Sequence, residues 1–111
     1  MNYRRGDVVT CALSGNYGKP RPAVVLQSDL YNASHASVTV CPLTSHGVEA
    51  PLFRVGIKPG AASGLKAESQ AMADKLTTLR AERIGAVIGH LSEADLEKIE
   101  HAVQRWLGLR A

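Results

Sequence analysis

Short apolar runs, each bounded by glycine, proline or small polar residues, fill most of this chain; only near its end does the apolar spacing become helical. Asp7 to Leu13, carrying Val8, Val9, Cys11, Ala12 and Leu13, reads as a first strand. Ser14 to Pro20 is a loop by composition, so the simplest join to the next run is a hairpin. Lys19-Pro20-Arg21-Pro22-Ala23-Val24-Val25-Leu26-Gln27 then passes from basic and proline-rich to apolar, the mark of a central strand buried on both faces. Pro22 suits the first position of that strand, where a missing N–H costs little. Ser28 to Ser34 leaves room for one helical turn. Ser37 to Cys41 alternates and is β-branched, so it reads as a third strand. Pro42 is expected to end that strand, and residues 43–47 to leave the sheet.

Residues 47–67 are loop-dominated, with a short alternating strand at Phe53 to Ile57. Glu68 to Met72 and Lys75 to Leu79 are weaker strand candidates, because Ala, Lys and Glu fit strands poorly. Arg80 to Arg83 can form one helical turn, and Ala86 to His90 is the last strand. The closing helix is the plainest local signal. Ser92 is a good N-cap with Asp95 three residues on, and Leu91 can staple onto Leu96. Leu96, Ile99, Val103 and Trp106 or Leu107 form one apolar stripe. Glu93, Asp95 and Glu97 crowd the first half, Arg105 lies in the last turn, and Gly108 is the natural stop. Many short strands with one late helix packed on them predict a small α+β barrel or rolled sheet.

A length of 111 residues suits one domain over 1–111, large enough to bury a core without staples. No apolar run approaches the roughly 18 residues of a membrane span. The opening Met1 to Asp7 has two arginines but no apolar stretch behind them, so the cytoplasm is the expected compartment. There the tripeptide Arg5-Gly6-Asp7 is a strand entry rather than an adhesion motif. Cys11 and Cys41 fit no metal spacing and are expected to be free, buried side chains. A net charge of +3 leans only mildly toward anionic partners, and the basic residues are spread along the chain.

Candidate chemistry starts at Arg21, held between two fixed-φ residues at the mouth of a stiff strand, from which a guanidinium can aim at a phosphate. Its stretch, with Asp29 and Asn32 following, resembles the most recognisable part of the MazF/PemK family of toxin endoribonucleases. The opening Arg5-Gly6-Asp7-Val8-Val9 resembles that family, as do Pro42-Leu43-Thr44-Ser45, Gly64-Leu65, Ser69, Leu76-Thr77-Thr78, Arg83-Ile84-Gly85 and the closing helix. The resemblance implies an SH3-like antiparallel barrel with a C-terminal helix, a homodimer, and metal-independent cleavage of single-stranded RNA, with no cofactor. It also implies a cognate antitoxin whose disordered segment covers the RNA groove. It makes Arg21 and Thr44 the catalytic pair, with Asn16, Tyr17, Lys19, Ser45, His46, Lys75 and Thr78 along the RNA path.

Two positions depart from the family pattern. Asn16 stands where members often carry a glutamate, which leaves the general base open; His46, two residues past Thr44, is a candidate because imidazoles ordinarily titrate near neutral pH. Lys75 stands where members often carry glutamine, replacing base-edge hydrogen bonding by phosphate attraction. Two other readings compete. One is a non-catalytic, CcdB-like toxin that binds DNA gyrase through the Trp106 end of the helix. The other is an inactive SH3-like module that binds RNA or peptide.

Overall fold

A computed structural model describes residues 3–13 and 19–110. In chain order the elements are β1 (Asp7–Ala12), β2 (Pro20–Val25), α1 (Asp29–Asn32), β3 (Ser37–Thr44), β4 (Arg54–Ile57), β5 (Ser69–Met72), β6 (Thr77–Arg80), β7 (Ile84–His90) and α2 (Glu93–Leu107). Short 3-10 turns at Ala73–Lys75 and Ala81–Arg83 lead into β6 and β7. All strand pairings are antiparallel, in the order β4-β5-β3-β2-β1-β7, with β6 also on β3. The expected α+β, barrel-like architecture is found, as a rolled sheet that is not closed among the described residues.

β3 is the strand on which the roll turns. One edge pairs with β2; the other pairs with β6 over Ser37 to Val40 and with β5 at Leu43 and Thr44. Pro42 therefore does not end the strand, contrary to the sequence expectation. It stands where β3 changes partners, a position at which a missing donor costs little. β2 likewise begins at Pro20, so Pro22 is its third residue. Residues 20–22 pair with β1 alone, the edge placement that proline requires. The segment read as a strand from Lys75 to Leu79 divides into a 3-10 turn and β6, and β7 starts two residues earlier than expected.

Adjacent apolar residues explain the double-sided burial. Val8, Val24 and Cys41 join one buried cluster, while their neighbours Val9, Val25 and Val40 join another, because successive side chains on a strand point to opposite faces. The first cluster is closed by α2 through Leu96, Ile99 and Ala102. Ile99 is fully buried, so truncation to Ala would cost about 3 kcal/mol. Ser92 Oγ accepts from the Asp95 N–H at 3.1 Å, and Gly108 closes the helix at φ 69°, as the sequence predicts. The stripe holds to Val103, but Trp106 and Leu107 are half-exposed. Arg54 donates twice to Asp74, at 2.7 and 3.1 Å, tying β4 to the turn after β5. The pair holds the Asp74 carboxyl below the usual carboxylate range. Both cysteines are free and buried; burial pushes the Cys11 thiol up to about 11 and that of Cys41 to about 12, so both are protonated at neutral pH. No helix among the described residues is long and apolar enough to cross a membrane.

Candidate active site

The β2–β3 ladder runs Val25↔Val40, Val24↔Cys41, Ala23↔Pro42 and stops. Continued by two steps it would set Arg21 opposite Thr44. Instead the strands part: Pro20 to Pro22 stays with β1, and Leu43 and Thr44 go over to β5. Neither Pro22 nor Pro42 has an N–H with which to extend the ladder. The cleft that opens between the diverging ends is a groove of about 570 Å³. Arg21 and Thr44 line it together, from its two sides.

Apolar side chains make much of the groove, among them Leu13, Pro20, Pro22, Leu43, Met72 and Ile88. Its polar lining is Thr10, Arg21, Thr44, Ser45, His46, Lys66 and Ser69. Arg21 and Lys66 are cations and no carboxylate lines the groove among the described residues, so its charge favours an anion. Thr44 Oγ1 accepts from the His46 N–H at 3.1 Å. That bond fixes the hydroxyl and leaves its hydrogen free to be donated into the groove. The turn beyond is clamped by Gln70, whose amide accepts from the Val48 N–H at 3.1 Å and donates to the Val48 carbonyl at 3.0 Å.

Lys66 reaches the groove from the β4–β5 connection. Gly64 holds that loop against β7: it has φ +73°, and a Cβ there would fall 2.0 Å from the Ile88 carbonyl oxygen. The His90 N–H adds a bond to the Ala62 carbonyl at 2.8 Å. Sequence reading missed Lys66, Thr10 and Ser69 as groove residues. Gly64-Leu65 and Ser69 were the visible signal, flanking Lys66 on both sides.

Of the residues singled out from the sequence, Arg21, Thr44, Ser45 and His46 share this groove. Lys19 is exposed ahead of β2 and does not line it. Thr78 lies on β6, its Oγ1 2.9 Å from that of Thr39, and Lys75 lies in a 3-10 turn rather than a strand; neither lines the groove. Asn16 and Tyr17 fall outside the described residues. Trp106 packs its ring on Phe53 at a centroid distance of 5.1 Å, continuing the apolar side of α2.

At the other end of β2 a hydrogen-bond network holds the chain shut. Asn32, buried, donates to the Gln27 carbonyl at 3.0 Å and to Asp29 at 2.9 Å. Gln27 in turn donates to the Ser37 carbonyl and accepts from the Thr39 N–H. Asp29 also accepts from the Arg5 N–H at 2.8 Å, which with Asn32 holds its carboxyl below the usual range.

An antiparallel rolled sheet with a terminal helix, opening a cationic groove between its two central strands, has close counterparts among known proteins. Residues 4–107 match the family described as the PemK-like, MazF-like toxin of type II toxin–antitoxin systems, and the chain belongs to that family. The "Probable endoribonuclease MazF" of Mycolicibacterium smegmatis is 42% identical over 107 residues, covering 96% of this chain and 97% of that protein. Endoribonuclease MazF9 of Mycobacterium tuberculosis is 30% identical over 115 residues, covering 96% and 97%. A solved structure of a mycobacterial endoribonuclease in complex with its cognate antitoxin superposes with a TM-score of 0.81 at 26% identity, covering 98% of both chains.

Proposed function

We propose that this protein is the toxin of a type II toxin–antitoxin pair and acts in the cytoplasm as an endoribonuclease on single-stranded RNA. Arg21 and Thr44 carry the chemistry. The observation behind this is their placement on one cationic groove in a chain of this family. RNA contains its own nucleophile, the 2′-OH beside each phosphodiester, so neither a metal nor a bound water has to supply one. Attack forms O2′–P, breaks P–O5′ and leaves a 2′,3′-cyclic phosphate. Negative charge builds on the phosphoryl oxygens during the step, and preorganised donors aimed at that charge are the main source of acceleration. Arg21 offers a fixed cation with several N–H donors, and Thr44 a hydroxyl oriented by the His46 N–H.

Support for an antitoxin partner comes from the relative solved with its own antitoxin. An antitoxin segment over this groove would inhibit by occupying the RNA path. A homodimer is the expected state in solution, and sedimentation showing only an 11.8 kDa species would count against it. The decisive test incubates purified protein with mixed-sequence RNA in EDTA beside Arg21→Ala and Thr44→Ala. Cleavage by the wild type, lost in both variants, is expected; equal cleavage by all three refutes the reading. A gyrase-directed toxin would instead keep its toxicity in Arg21→Ala and lose it in Trp106→Ala.

A further inference from the structure

Transfer of the 2′-OH proton requires an acceptor, and the groove offers few. Facing it are two basic side chains, Arg21 from β2 and Lys66 from the β4–β5 connection, which offer donors, and the hydroxyls of Thr10, Thr44, Ser45 and Ser69. No carboxylate lines it among the described residues, and the sequence of residues 14–18, Ser-Gly-Asn-Tyr-Gly, contains none either. His46 is the one groove side chain whose type serves as a base near neutral pH.

We propose that His46 is the general base of this groove, an inference that rests on the ribonuclease reading and supplies the group that reading lacks. The geometry holds His46 in place from both sides. Its backbone N–H is bonded to Thr44 Oγ1, so the main chain that carries the imidazole is tied to the hydroxyl. Two residues on, Val48 is bonded through both its N–H and its carbonyl to Gln70. Between them Gly47 packs so closely that a Cβ there would approach Gln70 Nε2 at 3.0 Å. His46 itself is exposed, lines the groove and, among the described residues, makes no side-chain hydrogen bond, so its imidazole is not committed to a partner.

The step balances. Neutral His46 takes the 2′-OH proton as O2′–P forms; P–O5′ breaks, and the departing O5′ takes a proton from water beside the Arg21 charge. The imidazolium then returns its proton to solvent. The products are a 2′,3′-cyclic phosphate and a 5′-hydroxyl.

The test measures kcat and KM for RNA cleavage in EDTA from roughly pH 5 to 8, spanning ordinary imidazole titration, for wild type, His46→Gln and Arg21→Ala. Each variant is also checked for an unchanged thermal midpoint. His46→Gln is expected to lose on the order of 100-fold or more in kcat, a usual general-base contribution, with KM within about twofold. The fall in wild-type rate on acidification should vanish in this variant. A His46→Gln enzyme with the wild-type pH profile, or one altered only in KM, overturns the assignment while leaving the ribonuclease intact. A wild type that cuts RNA no better than Arg21→Ala overturns the ribonuclease reading itself, and the role of His46 with it.

Discussion

The two ends of β2 are built from opposite materials. At Leu26 to Asn32 the strand runs into a network in which Gln27, Asp29 and Asn32 bond to one another, to β3 and to Arg5, whose guanidinium also reaches the Leu26 carbonyl and Glu100. At Pro20 to Pro22 the strand has β1 on one side and an open cleft on the other. One end satisfies its polar groups internally and so fixes the strand; the other sets Arg21 and Thr44 on the wall of a groove. The difference teaches that a single recognisable stretch of sequence can be half scaffold and half candidate site, and that substitutions along it should separate accordingly.

The largest separation is expected at the open end. Arg21→Ala should lower RNA cleavage by about 100- to 1,000-fold, the usual loss on removing one preorganised donor, with the denaturant midpoint unchanged because the side chain is exposed. At the closed end, Asn32→Ala should do the reverse. It removes a buried amide and leaves the groups of Gln27 and Asp29 short of partners, a cost of about 2 kcal/mol in urea unfolding. Cleavage per folded molecule should not change. A loss of rate in Asn32→Ala without a loss of stability would erase the distinction.

A smaller effect belongs to Gln70→Met, which releases the Val48 clamp and loosens the turn carrying His46. A rate loss of about tenfold is expected, since small misplacements of reacting groups are costly, with KM little affected. The smallest effect is on pH. The Asp29 carboxyl is held below its ordinary range by the Arg5 N–H and Asn32, so its folded-state pKa lies under its unfolded one. Its contribution is therefore present above the unfolded pKa and lost as pH falls through the folded value, in the acid range below about 4. Thermal midpoints between neutral and acid pH should fall less steeply in Asp29→Asn.

Sequence showed the closed end and the helix well, because their signals are local: the caps at Ser92 and Gly108, the Leu91–Leu96 pair, the β-branched runs. It misread both prolines of the open end. Pro42 looked like a terminator, since its tolerance depends on the change from β6 to β5, a fact of topology that no window of sequence contains. Arg21 and Thr44 were singled out through family resemblance, whereas their meeting at one groove depends on where the β2–β3 ladder stops. Lys66 stayed hidden because it lies on a loop twenty-odd residues beyond Thr44 that is held against β7 by the Gly64 packing on Ile88 and the His90–Ala62 bond, contacts that no local pattern shows. The apolar stripe of α2 was legible as far as Trp106, which packs on Phe53 while half of its surface stays exposed.

Because β3 borders three strands at once, its alignment with β2 is a setting shared by the hydrophobic interior and the reactive groove. Sliding β3 by a single residue would send Val40 and Cys41 to each other's faces and turn Thr44 to the back of the sheet. Insertions or deletions within these strands should thus abolish folding and catalysis together. New RNA preferences have to be reached by exchanging side chains around the groove, on a frame that cannot be shifted.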